Sequence, residues 1–353
     1  MLLRAGLYND AGLLHAFPHL SDEVWCRIYA HAVRQTVTGI VCHALSMLPD
    51  DKMPPYGLLL KWMAATHKIE TAHNGMSAAL ATLLAAYRGA GLAPVLQKGH
   101  AAARFYSRPS LRVCGDIDIY VDAPRTAADA VVESAGATVR HSPDGSSCFR
   151  WQGFEVERHS ELLHLHSPFR QKTLSRIVQE AAPVQVTVAP GVEASVPAPL
   201  AELLMLNIHI LKHVLGSGIG LRQVCDYALA YRALIPVVGA DRYRAACRSL
   251  GIIRWTDTLH RFISTYIPDS AAIVAPMRTR GDAAALRHLH SIIIEGGNFG
   301  RHRPGAPARS KGTLSRKIDT FTSFLRHGGL TARIAPFEAL GIVLSLLRGQ
   351  IHS

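Results

Sequence analysis

The chain has 353 residues, 48% of them hydrophobic, enough to bury a substantial core as one composite domain or two intimate ones. Its 38 Lys and Arg against 26 Asp and Glu leave a net charge of +12, which favours an anionic partner (a nucleotide, a nucleic acid or a lipid headgroup) or serves solubility. Arg88 and glycines interrupt the apolar stretch 78–96 before it reaches about 18 uncharged residues, which argues against a membrane span, and the six cysteines (Cys26, Cys42, Cys114, Cys148, Cys225, Cys247), with no C-x-x-C pair and no secretory leader, read as reduced, mostly buried thiols of a cytoplasmic protein.

A helical pattern opens at Ser21, an N-cap followed by Asp22 and Glu23 at the positive end of the helix dipole, and runs at helical spacing to Met47. "PPYG" at 54–57 breaks it. A second helical run is expected over about 58–87, with Asn74-Gly75 as a point where it splits or kinks, and "RGAGLAP" closes it. A strand at 95–97 ends in "KGH"; a helix over about 100–106, a Ser-Arg-Pro-Ser turn and a strand at 113–121 follow. Pro124 suits the first turn of a helix reaching Ser134. Residues 138–159 read as a hairpin with "SPDGSS" at its turn and "FEVERH" as its last strand. A helix at about 171–181, a small hairpin around "VAPGVEAS", and helices from 197 to about 266, resuming after "GGNFGR", complete the pattern. The expected fold is α+β: a small mixed sheet at 93–196, between an N-terminal helical region at 1–92 and a C-terminal helical domain at 197–353. The stretch 300–317 carries six Lys or Arg and no acid, and reads as a solvated loop or a basic flap over phosphates.

The informative stretch is "LRVCGDIDIYVDAP" at 111–124. On a strand Asp116 and Asp118 share one face with Cα atoms roughly 6.5–7 Å apart, while Ile117 and Ile119 face the core. Two such carboxylates repel unless a cation lies between them. Mg²⁺ suits them, taking hard oxygen ligands at about 2.0–2.1 Å and leaving positions for phosphate and water. A third acid is expected for two-metal phosphoryl transfer, and "FEVERH" offers Glu155, Glu157 and His159 on one strand face.

The segment "VLQKGHAAARFYSRPSLRVCGDIDIYV" resembles the uncharacterised nucleotidyltransferase family of the DNA polymerase beta superfamily. The matching elements are Lys98-Gly99, Phe105-Tyr106, Arg112, Gly115-Asp116-Ile117-Asp118-Ile119-Tyr120-Val121, and Glu157-Arg158-His159 for the family's later acid-x-His strand. "LLMLNIHILKHVLGSGIGLRQVCDYAL" is similar to its helical segment, with His209, His213, Arg222 and Asp226 at the matching places. The wider superfamily usually has Gly-Ser where this chain has Gly99-His100, so a serine hydroxyl for the nucleotide phosphates is missing.

The resemblance implies a nucleotidyltransferase core that uses Mg²⁺, or Mn²⁺, held by Asp116, Asp118 and Glu157. It would move a nucleoside monophosphate from an NTP to a hydroxyl-type acceptor, a small molecule, sugar, peptide or protein, releasing pyrophosphate. One ion would orient the triphosphate and the other would lower the acceptor's pKa, with Glu157 as ligand or general base. Lys98, Gly99, His100, Arg112 and Gly115 are the expected phosphate-binding set, Gly99 and His100 through their backbone N–H groups at the start of a helix and Lys98 and Arg112 through charge. His159, His209, His213, Arg222 and Asp226 are expected to line the substrate cleft.

Read without the resemblance, His209 and His213 stand four apart without the following Glu or third ligand of a zinc site, and Arg222 with Asp226 reads as a pair on a helix surface. His164 and His166 read as satisfied loop histidines, and "GSGIG" at 216–220 as a turn. The rival to an enzyme is a non-catalytic module binding a nucleotide or partner on the same fold. Nucleic acid ranks lower, because no aromatic-interleaved basic stripe is present.

Overall fold

The computed structural model describes residues 1–216, 218–269, 283–297 and 333–347. The stretch 300–317 and Ser217 lie outside them. The N-terminal helices are α1 (Leu2–Tyr8), α2 (Asp22–Arg34), α3 (Thr38–Leu45) and α4 (Tyr56–Gly89). Ser21 caps α2 as expected, its hydroxyl accepting from the Val24 N–H at 3.4 Å. The helix does not run unbroken to Met47. It stops at Gln35, and Thr36 takes φ 55°, a left-handed value that a β-branched residue adopts only when its surroundings hold it. Gln35 supplies that hold: buried, it donates to the Ile293 carbonyl at 2.8 Å and accepts from the Leu221 N–H at 2.9 Å, tying the break to helices far along the chain.

No split occurs at Asn74-Gly75: α4 is one continuous helix of 34 residues. Gly75 serves close approach instead: a Cβ there would stand 3.2 Å from Cζ of Phe154. The sheet that lies beyond is built from β1 (Pro94–Gln97), β2 (Ile117–Val121), β3 (Arg140–His141), β4 (Ser147–Trp151), β5 (Phe154–His159), β6 (Val184–Ala189) and β7 (Val192–Val196), in the order β3-β4-β5-β2-β1-β7-β6. It is mixed: β2 pairs antiparallel with β1 and parallel with β5, and β1 pairs parallel with β7. Helices α5 (Lys98–Ala103), α6 (Arg125–Ser134) and α7 (Pro168–Gln179) lie between the strands in sequence.

The stretch 138–159 forms a three-stranded meander rather than one hairpin. "SPDGSS" joins β3 to β4, and Gln152-Gly153, at φ 48° and 89°, makes a two-residue turn of primed type into β5. The strand expected from Val113 begins only at Ile117; at Val113 itself the carbonyl is taken by Arg112 Nη1 and Arg222 Nη1 at 3.1 and 2.6 Å rather than by a neighbouring strand.

The C-terminal helices are α8 (Pro199–Leu215), α9 (Leu221–Val238), α10 (Ala240–Ser249), α11 (Ile253–Tyr266), α12 (Ala283–Gly296) and α13 (Pro336–Leu347). Helix α12 precedes "GGNFGR", where the helical pattern was expected to resume only afterwards. The N-terminal and C-terminal helices share one core, containing Trp25, Trp62, Leu203, Trp255 and Phe262. A second core lies under the sheet, where Leu80, Leu83 and Leu84 of α4 meet Ile117, Ile119, Phe149 and Val156. The long helix therefore contributes one end to each core. Among the described residues no helix is long and apolar enough to cross a membrane. Two of the six free cysteines, Cys225 and Cys247, are buried, where most were expected to be; Cys26 is exposed and the other three are half-buried.

Gly39 on α3 links this packing to the segment that enters β2, since a Cβ there would lie 2.6 Å from the Leu111 carbonyl oxygen. Alanine at 39 would gain up to about 1 kcal/mol of helix propensity, against about 1–3 kcal/mol for overpacking onto rigid backbone. Gly39→Ala is expected to lower the urea midpoint with an unchanged slope; a raised midpoint would contradict the close approach.

Candidate active site

The alternation of "GDIDIYV" works as the pleat requires. Ile117, Ile119 and Val121 are buried in the core beneath the sheet, and Asp118 stands on the other face. Asp118 is flanked in register by Gln97 of β1 and Glu157 of β5, so the parallel pairing of β2 with β5 sets two acids side by side. His159, two residues along β5, donates from Nε2 to the ionised Asp118 Oδ1 at 2.7 Å, and its Nδ1 lies 3.7 Å from Glu157 Oε1. Ligand atoms of Asp118, Glu157 and His159 all fall within 4.8 Å of one another, which makes them a candidate metal-binding group.

Lys98 closes the cluster. Its Nζ lies 2.9 Å from the same Asp118 Oδ1 and 3.5 Å from His159 Nε2. The backbone is bent to bring it there: Lys98 and Gly99 both take φ 36°, and the bend turns the chain from β1 into α5. Glycine meets that demand without strain, whereas Lys98 holds a conformation costly for a side chain. Asp116 stands one residue before β2, outside the hydrogen-bonded ladder, and is exposed at the mouth of the cluster.

The acids differ sharply in affinity for a proton. Asp116 is pushed up to about 6, chiefly by the charge of Asp118 and, since its side chain is exposed, less by desolvation. Burial alone would raise Asp118, yet the Lys98 ammonium and the hydrogen bond with His159 hold it far below the ordinary carboxylate range. Lys98 in turn is raised: burial opposes its charge, and Asp118, Glu157 and Asp116 outweigh that.

A basic wall faces these acids from the helical side. His209, Lys212 and His213 lie half-buried on α8, the two rings edge to face with centroids 4.4 Å apart. Burial, then the charges of Lys98 and Lys212, push His213 down to about 3, so it is neutral at physiological pH. His209 is depressed by burial and by His213, Lys212 by burial and by Lys98. Arg222 of α9 is close enough to offset part of the acid repulsion at Asp116. Lys212 was absent from the expected site, although the i, i+3, i+4 spacing of 209, 212 and 213 places all three on one helix face.

Several expected residues stand elsewhere. Arg112 was expected at the phosphates, but it is buried and bonded to Asp226 through two parallel contacts, Nε to Oδ1 at 3.1 Å and Nη2 to Oδ2 at 2.6 Å. Tyr106 also donates to Asp226, at 2.7 Å. The surface pair of Arg222 and Asp226 gives way to this arrangement: both are buried, Asp226 holds Arg112, and Arg222 donates to the Val113 carbonyl. Gly115 is exposed beside Asp116. The His100 side chain turns away from the cluster into the interior, where Nε2 bonds Ser77 Oγ at 2.9 Å and the ring stacks on His73 at 4.3 Å. Burial would raise the Cys114 thiol, but the Arg112 guanidinium and the two imidazoles beside it pull it well below the usual range. His164 and His166 are satisfied by Glu161 and Glu338, as expected. A cavity of about 460 Å³ at the far end of β2 is lined by Tyr120, Asp122, Arg125, Arg158 and Ser160 among others, and by none of the expected site residues.

A family described as "Uncharacterised nucleotidyltransferase" matches residues 21–262 of the chain. Among solved structures, an antigenic nucleotidyltransferase-like protein from Paracoccidioides brasiliensis is similar at 12% identity and a TM-score of 0.36, over 61% of this chain and 97% of that one. No curated protein matches.

The proton affinities give a pH prediction for the metal-free protein. Asp116 should titrate near 6 by side-chain carboxyl NMR, and Asp118→Asn should return it toward the ordinary carboxylate value. A carboxyl raised on folding contributes stability that is present in acid and lost as pH rises from about 4 to about 6, whereas the depressed Asp118 contributes above the ordinary value and loses its contribution in strong acid. Asp116→Asn should therefore stabilise the protein near pH 7 and not near pH 4; a gain equal at both would contradict the repulsion by Asp118.

Proposed function

We propose, since this chain belongs to the uncharacterised nucleotidyltransferase family, that it transfers a nucleoside monophosphate from an NTP to a hydroxyl-type acceptor with release of pyrophosphate. The observation that carries this reading is the in-register pairing of Asp118 with Glu157, beside Asp116 and opposite a basic helix face. Its donor chemistry fits Mg²⁺ or Mn²⁺: carboxylate oxygens of Asp116, Asp118 and Glu157 would hold the ion, and the Lys98 ammonium on Asp118 Oδ1 already stands in for a cation there. When bound, the ion supplies charge neutralisation to the phosphates and lowers the pKa of the acceptor hydroxyl.

The chain's own residues account for the remaining requirements. Lys98, released from Asp118, has an ammonium with three donors at the edge of the cluster and would bind phosphate oxygen. Lys212 and Arg222 would take up triphosphate charge, and neutral His209 and His213 would donate or accept hydrogen bonds without adding to it. The acceptor oxygen forms a bond to the α-phosphorus as the bond from that phosphorus to the bridging oxygen breaks. Pyrophosphate leaves, and the acceptor's proton passes to a carboxylate of the cluster, Glu157 or Asp116. The acceptor class stays that of the sequence reading: a small molecule, sugar, peptide or protein.

One observation favours the rival, a binding module without turnover: the residue after Gly99 sends its side chain into the interior, so no hydroxyl is offered to phosphate at that bend. Pyrophosphate release from each NTP, with Mg²⁺ and a panel of hydroxyl acceptors, separates the two. The transferase reading expects turnover that falls by at least about 100-fold in Asp118→Asn and in Glu157→Gln, in protein that still melts cooperatively. Mg²⁺–NTP binding without turnover across the panel would favour the module. Lys212→Ala is expected to raise KM for the NTP about tenfold or more, with a smaller change in kcat, the size of one lost charge-assisted hydrogen bond.

A further inference from the structure

A second group of donors, sharing no residue with the acid cluster, gathers around the buried ring of His100. His73 projects from α4, His100 from α5, and Cys114 from the segment that leads into Gly115-Asp116. One ring nitrogen of each histidine and the Cys114 sulfur lie within 4.8 Å of one another, with His73 Nδ1 4.0 Å from Sγ. His73 and His100 are 4% and 2% exposed, so bulk water does not compete for them.

The hydrogen bonds around His100 decide which of its nitrogens is bare. Ser77 Oγ donates its only hydrogen to the His73 carbonyl at 2.9 Å, so toward His100 it can only accept. His100 Nε2 must then carry the proton in the 2.9 Å contact with Ser77, and Nδ1 keeps its lone pair. That Nδ1 is buried and makes no hydrogen bond of ordinary geometry among the described residues, while the Cys114 sulfur lies near enough to the ring to be influenced by it. An imidazole oriented by a hydroxyl on one nitrogen, with an unprotonated buried nitrogen on the other side, is arranged as metal-binding histidines are.

We propose that His73, His100 and Cys114 form a second metal site, for a borderline divalent ion of the Zn²⁺ class, structurally distinct from the carboxylate cluster. Two imidazoles and one thiolate match the nitrogen and sulfur preference of Zn²⁺, and with a solvent molecule they make four-coordination. Zn–N of about 2.0–2.1 Å and Zn–S of about 2.3 Å set donors roughly 3.3–3.6 Å apart, so His73 Nδ1 and Sγ need to close by about 0.4 Å, the other pairs by up to about 1.5 Å, and the stacked rings need to turn. Arg112 does not stand in the way. Its charge is balanced by Asp226, and its Nη1, 3.2 Å from Sγ, can remain a hydrogen-bond donor to a metal-bound thiolate. Such an ion would fasten α4 to the bend carrying Lys98-Gly99 and to the segment carrying Asp116. The inference does not depend on the reading of the acid cluster, which contains no sulfur.

Sulfur is what the test reads. The full chain, stripped with a chelator and titrated with Co²⁺, is expected to bind one equivalent showing a thiolate-to-cobalt charge-transfer band that Zn²⁺ abolishes by displacement. Cys114→Ser should remove the band, and Ser77→Ala should keep it while weakening Zn²⁺ binding about 10–100-fold, as loss of an orienting partner does. Asp118→Asn should leave the band intact, separating this site from the other. Stoichiometric Co²⁺ without a sulfur band, a band that survives Cys114→Ser, or no stoichiometric binding would each overturn the proposal. Should Cys114→Ser fail to fold, His73→Ala in its place must lose the band or its intensity for the proposal to stand.

Discussion

The buried pair of Arg112 and Asp226 fixes where the sheet begins and hence where the acids stand. Withdrawing two charges from water costs several kcal/mol each, and the fold offsets this with two parallel contacts and the Tyr106 hydroxyl on the same carboxylate. The pair gives little net stability by that argument, yet it is unforgiving of change, because loss of either partner strands the other in the interior. What it secures is position. Arg112 is tied to α9 through Asp226, Arg222 of α9 takes the Val113 carbonyl, and β2 begins at Ile117.

Position then controls charge. Asp118 is inside the ladder, nearly buried, and must carry its charge against Lys98 and His159; Asp116 is outside it, exposed, and feels chiefly the charge of Asp118. Two aspartates two residues apart thereby acquire opposite tendencies, one fixed as an anion and one poised to exchange protons. The helical wall supplies the complementary sign, with Lys212 and Arg222 both depressed by burial and by neighbouring cations. A polyanion entering between acid and basic faces would relieve repulsion on the basic side, while a divalent ion would relieve it on the acid side. In the reading proposed above, the two would bind better together than either would alone.

The part of this site legible in the sequence was what depends on strand parity. Alternation placed Ile117 and Ile119 in the core and Asp118 opposite, and the acid-x-His pattern put Glu157 and His159 on one strand face, since both follow from a local period of two. Charge partners across the chain were not legible. Nothing within 20 residues of Arg112 announces Asp226, so a conspicuous arginine beside the acids was read as a phosphate ligand. The same holds for Gly75, read as a break when its lack of a Cβ answers Phe154 on β5, and for Gln35, whose partners are on α9 and α12. Lys212 could have been read from its spacing to His209 and His213, but a lysine at a helix end is too common to stand out alone.

The residue after Gly99 shows how one substitution can redirect a motif. The superfamily's serine would add a hydroxyl at the bend; His100 instead points into the interior, and its ring is captured by Ser77 and by stacking on His73. An imidazole at this place is too large to be neutral in its effect, because a buried ring needs partners for both nitrogens. One partner is present in Ser77 and the other is not, so the cost of Nδ1 persists unless something binds it. Histidine at this place offers no hydroxyl at the bend and leaves an unmet demand on its inner side, where Cys114 and His73 already stand. Anchoring of phosphates, in the reading proposed above, shifts accordingly from the bend to Lys98, Lys212 and Arg222, and the bend itself becomes a junction between the two donor groups.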